Sequence, residues 1–288
     1  GGSVDGSRLP FQLSMGRDQI PERLNRRQVA NMTWSPVKLA TGSLADAVGV
    51  GAWDNMVRRS QLLARGETSV FLNPEKKRSP NHEGAALALL RQLDRMAREQ
   101  NISLELYGHS MGALVINEMI GGFSRKERKQ LGIDRIVFMG AACSIRDFNR
   151  TTGEYVSETR TPFYNLSLHP FAEVRESLLN DAGSPFFSGS LLTWIDAMFE
   201  RPPGFEGRTL GSFYNVVLAK DVLPSGPHVH FKAFGASPDS SKKGNHLGPQ
   251  KHGEFDDYQF WNEAFLQPSV DSHAPNHTEK DYRVLWIE

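Results

Sequence analysis

Hydrophobic residues recur along this chain at two spacings, one typical of helices and one typical of short buried strands. Between positions 83 and 100 they return every three or four residues, which places Leu87, Leu90 and Leu93 on one face of a helix. Short apolar runs instead indicate strands buried in a sheet. The pattern predicts helices at 52–66, 83–100 and 110–123, and strands at 29–39, 68–74, 102–108, 133–142, 161–170 and 228–235. Strands that alternate with helices predict an α/β fold, with a mostly parallel sheet flanked by helices.

The same pattern suggests how the chain is divided. The first 28 residues are polar and irregular, so 1–28 is interpreted as an N-terminal arm and 29–288 as a single domain. Residues 174–227 separate two predicted strands by far more than an ordinary connection. Within them, the run at 186–205 places its large apolar side chains on one helical face. We therefore expect a helical insertion in this part of the chain.

Composition narrows the range of functions. The chain has 33 basic and 33 acidic residues without a long block of either sign, which argues against a nucleic-acid surface or a polybasic membrane tether. No apolar run has the length of a membrane span. The single cysteine, Cys143, excludes an internal disulfide framework. His228 and His230 alternate on a predicted strand, but no third ligand lies at the spacing that a metal site requires. We expect no metal and no cofactor. A cytoplasmic location is favoured over export with removal of a signal, and the oligomeric state stays open.

The stretch SLELYGHSMGALVINEM, residues 103–119, sets one serine between two glycines and two hydrophobic runs. A serine hydroxyl is a weak nucleophile unless it is exposed, oriented and next to a base. A sharp turn between a strand and a helix would expose Ser110 at the edge of the sheet, with Gly108 and Gly112 avoiding collisions with neighbouring backbone. The helix that follows would direct its first N–H groups at the site. We expect the backbone N–H of Met111 to stabilise an oxyanion there.

With this stretch the chain resembles the α/β-hydrolase superfamily, in its serine esterase and lipase branch, where GHSMG is a common nucleophile elbow. The resemblance covers residues 50–265 as a pattern of elements, and only the elbow is motif-specific. It implies a catalytic triad in the chain order serine, acid, histidine. It also implies that the insertion at 174–227 is a cap whose Trp194, Met198 and Phe199 line an acyl pocket. The alternative is an ordinary amphipathic helix packed on the core.

Two histidines lie beyond the last predicted strand, where the resemblance places the general base for Ser110. His252 is preferred over His246, because a glycine and the amphipathic run FDDYQFWNEAF (255–265) follow it. That run predicts a loop that leads into a terminal helix, which would fix the imidazole. His109, inside the elbow, is interpreted as a packing residue.

For the acid, the resemblance implies a position after the strand at 161–170. Glu173 occupies that position and is preferred, although a glutamate in the first turn of a helix is also favoured by the helix dipole alone. Asp147, after the preceding strand, is the second choice, and Asp181 is the third. The acid holds the imidazole tautomer and stabilises its cation, so either Asp or Glu can serve.

One departure from the family's pattern concerns the second oxyanion donor, which often lies in a loop marked by a His-Gly pair. No His-Gly pair occurs before residue 108. Either the loop at 39–51 supplies the donor in another form, or the chain lacks the family's first strands.

These residues together predict a serine hydrolase that cleaves a carboxylic ester of a small molecule or a lipid. Ser110 would form the acyl-enzyme, with His252 as base and Glu173 as the orienting acid. The same triad in an acyltransferase would pass the acyl group to an alcohol or a lipid instead of water. A third interpretation is an inactive hydrolase fold that serves as a binding module, against which the intact elbow argues.

Overall fold

The computed structural model describes residues 49–65, 83–176, 189–200, 204–236, 248–266 and 285–287. The predicted arm at 1–28 and the predicted strands at 29–39 and 68–74 lie outside these residues. The described helices are α1 (Gly51–Arg65), α2 (Ala85–Gln100), α3 (Met111–Gly122), α4 (Arg125–Arg128), α5 (Ile145–Phe148), α6 (Glu154–Thr159), α7 (Pro170–Arg175), α8 (Leu191–Trp194) and α9 (Phe213–Ala219). The described strands are β1 (Glu105–His109), β2 (Arg135–Met139), β3 (Phe163–Ser167), β4 (Val229–Ala233) and β5 (Leu285–Ile287). Short π-helices span Asn149–Gly153 and Ile195–Phe199, and 3₁₀ helices span Phe205–Gly207, His252–Asp257 and Glu263–Leu266.

The described strands form one sheet in the order β1-β2-β3-β4-β5. Strands β1 to β4 are parallel, and β5 pairs antiparallel with β4. Ile136, Val137 and Phe138 of β2 are fully buried, as expected for a parallel sheet that is covered on both faces. The predicted α/β class with a parallel sheet is confirmed. The strand predicted at 228–235 is not the last, because β5 follows it along the chain.

Neighbouring residues of each strand point to opposite faces of the sheet and therefore belong to two separate cores. Phe138 and Phe163 lie in the larger core together with apolar residues of α1, α2 and α3. Val137 and Leu166 lie in the smaller core, which Phe255 of the C-terminal segment closes. Helices thus cover one face of the sheet, and the C-terminal segment, residues 252–266, packs on the other face.

The amphipathic run at 255–265 does not form the single terminal helix that the sequence predicts. It contributes to two 3₁₀ helices, and Tyr258, which ends the first of them, has an extended backbone (φ −118°, ψ 147°). Phe255 and Phe260 nevertheless bury their rings in the smaller core. The apolar residues reach the core along an irregular path that helical periodicity does not reveal.

The residues predicted to share a helical face in the run at 186–205, from Leu191 to Phe199, are helical in the structure, and 186–188 and 201–203 lie outside the described residues. Helix α8 begins at Leu191 and passes directly into the π-helix Ile195–Phe199. Among the described helices, none combines the length and the apolar character that crossing a membrane requires.

Candidate active site

Ser110 lies at the turn between β1 and α3, as predicted, and its backbone is strained. Its dihedral angles are φ 52° and ψ −113°, a backbone region that residues other than glycine rarely occupy. Such a conformation costs about 1–3 kcal/mol and persists only where the surroundings impose it. Here the Ser110 N–H donates to the carbonyl of Met139 at 2.8 Å, and the Ala142 N–H donates to the carbonyl of Ser110 at 3.2 Å. The neighbouring strand β2 and the loop after it therefore hold the turn in place.

Only one of the two flanking glycines is required by close packing. A Cβ atom on Gly108 would lie 2.7 Å from the backbone nitrogen of Ala113 and 2.8 Å from the carbonyl carbon of Gly112. Strand β1 and helix α3 approach each other so closely there that any side chain would separate them. A Cβ atom on Gly112 would meet nothing within 4 Å, so the expected collision at that position is wrong.

Met111 is the first residue of α3, so its backbone N–H has no partner within the helix and lies next to the serine. Its role as an oxyanion donor stays a prediction. Residues 39–48 of the loop that could supply the second donor lie outside the described part of the chain. Gly49, where the described chain begins, packs so closely on Phe199 that a Cβ atom would lie 2.2 Å from its ring.

His252 begins the 3₁₀ helix His252–Asp257 and lies at the same edge of the sheet as Ser110. Its ring packs on Gly140, the residue after β2, where a Cβ atom would lie 2.8 Å from Cε1 and 2.9 Å from Nδ1. The residue is 7% exposed, and neither ring nitrogen has a hydrogen-bond partner in the described part of the chain. No hydrogen bond therefore joins His252 to Ser110 in this structure. The alternative base, His246, lies outside the described residues.

Burial makes His252 a neutral imidazole at ordinary pH. Burial is the largest cause that lowers the pKa of His252, to about 4, and the nearby His109 lowers it further. A neutral imidazole with an unused ring nitrogen can accept a proton from a hydroxyl group. His252 is therefore in the protonation state that a general base requires, and contact with a carboxylate would raise its basicity.

The main chain of His252 is held from two sides. Its N–H donates to Oε1 of Glu176 at 2.9 Å. Its carbonyl oxygen lies 3.0 Å from Nε2 of His109, the last residue of β1. His109 is thus more than the packing residue that the sequence suggested, since it contacts the backbone of the predicted base.

Glu173 is buried in α7, after β3, but the structure does not bring it to His252. Its Oε1 accepts a hydrogen bond from Ser190 Oγ, and its Oε2 accepts one from Ser212 Oγ, both at 2.9 Å. Burial raises the pKa of Glu173 to about 7, while the two serine hydroxyls act in the opposite direction. Because Ser190 caps α8 and Ser212 directly precedes α9, this carboxyl group joins α7 to the insertion. These contacts favour a structural role for Glu173 over the predicted catalytic one.

The alternative acids are also not seen beside the imidazole. Oδ2 of Asp147 accepts a hydrogen bond from Ser144 Oγ at 2.6 Å, within the first turn of α5. Asp181 lies outside the described residues.

Glu176 is the carboxylate that sequence reasoning missed. It follows α7 directly, and besides the His252 N–H that its Oε1 accepts, its Oε2 is buried without a partner among the described residues. Burial raises the pKa of Glu176 to about 7. Buried polar atoms without partners are uncommon in folded proteins. Glu176 and His252 bring three of them, one carboxylate oxygen and two ring nitrogens, to the same part of the site.

The segment at 208–212 is a second feature that the sequence did not indicate. It runs along the loop after β2, where the Gly211 N–H donates to the carbonyl of Ala141 at 2.8 Å. A Cβ atom on Gly211 would lie 2.1 Å from the Ala141 nitrogen, so only glycine permits this approach. Asn165 of β3 donates to the carbonyl of Leu210 at 3.1 Å. The predicted insertion therefore returns across the carboxyl ends of β2 and β3, beside the serine turn.

Two of the three predicted substrate-contacting residues are buried, and the third, Phe199, shares an apolar cluster with Met111 at the serine turn. Trp194 is 4% exposed and Met198 is 7% exposed, whereas Phe199 is partly exposed. Phe199 and Met111 pack on the same apolar cluster, which is formed by Trp53, Ala142, Leu192 and Ile195. This cluster, called the elbow cluster below, joins the insertion to α1 and to the serine turn.

Metal ligands are absent from the described ranges: no group of three or more His, Cys, Asp or Glu side chains there could hold a metal ion. Nε2 of His228 lies 3.1 Å from the carbonyl of Val156, and the ring of His230 stacks on Tyr164. Cys143 is buried, and burial raises the pKa of its thiol. The described chemistry at this edge of the sheet is therefore that of Ser110, His252 and the nearby carboxylates.

Comparisons of the chain with models of protein families, with curated protein sequences and with solved structures returned no match.

Proposed function

We propose that this chain is a serine hydrolase of the α/β-hydrolase type that cleaves carboxylic esters. The observation that carries the proposal is the strained backbone of Ser110 at the turn from a parallel strand into a helix. Strain of this kind is kept where a side chain must be presented in one orientation, and a nucleophile elbow has this geometry. A neutral, buried histidine at the same edge of the sheet supports the proposal.

In the proposed reaction Ser110 Oγ attacks the ester carbonyl, and His252 takes the hydroxyl proton. The negative charge that develops on the carbonyl oxygen is stabilised by the Met111 N–H at the start of α3. His252 then gives its proton to the leaving alcohol, which leaves an acyl group on Ser110. Water, activated by the same histidine, hydrolyses this acyl-enzyme and restores both residues.

We further propose Glu176, in place of Glu173, as the acid of the triad. Glu176 already contacts the backbone of His252, and its free Oε2 could accept a hydrogen bond from Nδ1 of the imidazole if the two side chains rearrange. That bond would satisfy two of the three unpartnered buried atoms and leave Nε2 for Ser110. It would also stabilise the imidazolium that forms during the reaction.

Exchange of each carboxylate for its amide distinguishes the two glutamates. Glu176→Gln is expected to lower kcat by about a thousandfold or more, because an amide cannot stabilise the imidazolium. Glu173→Gln is the matched control and is expected to change kcat by less than about tenfold, because a neutral amide can keep hydrogen bonds to both serines. The measurement is steady-state hydrolysis of a nitrophenyl ester by the two variants and the wild type.

A large loss of kcat in Glu173→Gln together with a small loss in Glu176→Gln would identify Glu173, the residue that the sequence indicated, as the acid. A loss confined to Asp147→Asn would move the acid to the loop after β2.

The substrate is proposed to be a neutral ester with an apolar acyl chain. The elbow cluster places Trp53, Leu192 and Ile195 in packing contact with Met111 and Phe199, beside the proposed nucleophile. Each methylene group buried against such a surface contributes about 0.8 kcal/mol, so two additional carbons can raise kcat/KM by roughly tenfold. None of these side chains carries a positive charge that would favour a phosphate or a second carboxylate.

A series of nitrophenyl esters of increasing acyl length tests this proposal. We expect kcat/KM for short to medium acyl chains to exceed that for acetate, and we expect peptides and phosphoesters to be poor substrates. Phe199→Ala should flatten the dependence on length, because Phe199 is partly exposed beside Met111. Trp194→Ala tests the more deeply buried residue in the same way.

If kcat/KM of the wild type falls steadily as the acyl chain lengthens from acetate, the proposal of an apolar acyl site is wrong. Unchanged profiles in both variants would show that the 191–199 segment is part of the core and does not contact substrate.

A further inference from the structure

We propose that His109 is a positioning residue that fixes the base, His252, relative to the nucleophile; this inference rests on the proposed function. His109 immediately precedes Ser110 and ends strand β1. Its Nε2 lies 3.0 Å from the carbonyl oxygen of His252, a residue 143 positions later in the chain. A single side chain thus forms a direct bridge from the strand of the nucleophile to the segment of the base.

The direction of this hydrogen bond follows from its chemistry. A carbonyl oxygen only accepts, so Nε2 of His109 must carry the proton. Its Nδ1 lies 3.1 Å from Oδ1 of Asp256, which belongs to the same 3₁₀ helix as His252. His109 therefore contacts that helix at two points, at its first residue and one turn further along.

The ring of His109 is also packed from the side. Its centroid lies 5.0 Å from that of the His252 ring and 5.5 Å from that of Phe255, which is buried in the smaller core. Because Phe255 anchors the 3₁₀ helix, the imidazole of His109 is held between a rigid strand and an anchored segment. This packing limits the positions from which Nε2 can reach the His252 carbonyl.

The two ends of the His252 backbone consequently have different partners on different elements. Glu176, after α7, accepts from its N–H, and His109, at the end of β1, donates to its carbonyl. Neither contact uses a ring nitrogen of His252, so both nitrogens of the His252 ring stay available for proton transfer. Misplacement of a catalytic group by about 1 Å can cost about a hundredfold in rate, which is why a backbone contact can matter to catalysis.

Asp256 has the smaller part in this arrangement. Its side chain is 78% exposed, and a polar contact at such a site contributes little because water competes with it and screens it. The contact that matters for positioning is the one from Nε2 of His109 to the His252 carbonyl.

Three substitutions of His109 separate a positioning role from simple packing. In His109→Gln the amide N–H₂ can take the place of Nε2 and still reach the His252 carbonyl. In His109→Asn the shorter amide is placed near the Nδ1 position and cannot reach it, and in His109→Phe the ring remains without a donor. Asp256→Asn is the control for the exposed contact. Circular dichroism and thermal unfolding identify any variant that fails to fold.

With a nitrophenyl ester as substrate, we expect kcat to fall by about 10- to 100-fold in the Asn and Phe variants, with KM within about twofold of the wild-type value. The Gln variant should keep kcat within about threefold, and Asp256→Asn within about twofold. The rate of fluorophosphonate labelling should fall in parallel with kcat. The comparison of kcat between His109→Gln and His109→Asn distinguishes a positioning role from packing even if His109→Phe does not fold.

Equal kcat in the Gln and Asn variants would overturn the inference, whether both are fully active or equally impaired. If wild type labels at Ser110 and hydrolyses esters while His109→Phe does so equally well, only the role of His109 is lost. If wild type neither labels nor hydrolyses esters, the proposed function fails and the positioning role fails with it.

Discussion

Ser110→Ala is expected to abolish ester hydrolysis, with kcat lowered by at least about 10⁴-fold, because no other group can form the acyl-enzyme. Alanine keeps the Cβ atom and hence the same backbone strain at φ 52°. The free energy of unfolding should therefore change little. Steady-state hydrolysis of nitrophenyl esters and thermal unfolding measure the two quantities on the same preparation.

Ser124→Ala is a suitable control for this substitution. Ser124 caps the short helix α4, well away from the carboxyl ends of the strands, and its loss should leave turnover unchanged. Substantial hydrolysis by Ser110→Ala would show that the strained turn has a purely structural role.

His252→Ala is expected to have the second largest effect, a loss of about 10³-fold or more in kcat, because proton removal from Ser110 then has no base. The same residue predicts a pH dependence. Since burial lowers the pKa of His252 to about 4, the neutral form that can accept a proton is present above that pH. The kcat/KM of the wild type should therefore rise as pH increases through about 4. It should rise again through about 7, because burial raises the pKa of Glu176 to about 7 and only its ionised form can stabilise the imidazolium.

His246→Ala is the matched control, since it removes the alternative histidine on the same stretch of chain. A severe loss of kcat in His246→Ala together with a mild loss in His252→Ala would identify His246, and not His252, as the base. A limb of the pH profile near 6.5, the ordinary value for histidine, that remains in Glu176→Gln would show that the base is not buried in the free enzyme.

The parts of the fold and site that could be predicted from the sequence are those that depend on neighbouring residues. The alternation of apolar runs specifies β1 to β4 and the helices α1, α2 and α3. The serine turn is also local, because Gly108 must lack a side chain where β1 meets α3. The choice of His252, beyond β4, rested on the resemblance to the α/β-hydrolase superfamily, and its role as the base stays a prediction.

The acid shows why other parts could not be predicted. Glu173 and Glu176 lie three residues apart, and both follow β3. Helix α7 ends at Arg175, and Glu176 has an extended ψ of 140°, which turns the chain away from the helix axis. That short helix end determines which carboxylate contacts His252 and which contacts the serines of the insertion. No pattern of apolar and polar residues indicates where this helix ends.

Contacts between distant segments were beyond sequence reasoning for the same reason. The approach of Gly211 to Ala141 joins segments 70 residues apart, and nothing near Gly211 in the sequence indicates it. The path of residues 255–265 was predicted wrongly because two buried phenylalanines satisfy the smaller core from 3₁₀ turns as well as they could from a helix.

The most direct test of the central claim is the mass of the wild-type protein after treatment with a fluorophosphonate, followed by mapping of the modified peptide. The proposed mechanism predicts one adduct per chain, on Ser110, and none in Ser110→Ala. An adduct on another serine, or no adduct on a protein that hydrolyses esters, would contradict the assignment of Ser110 as the nucleophile.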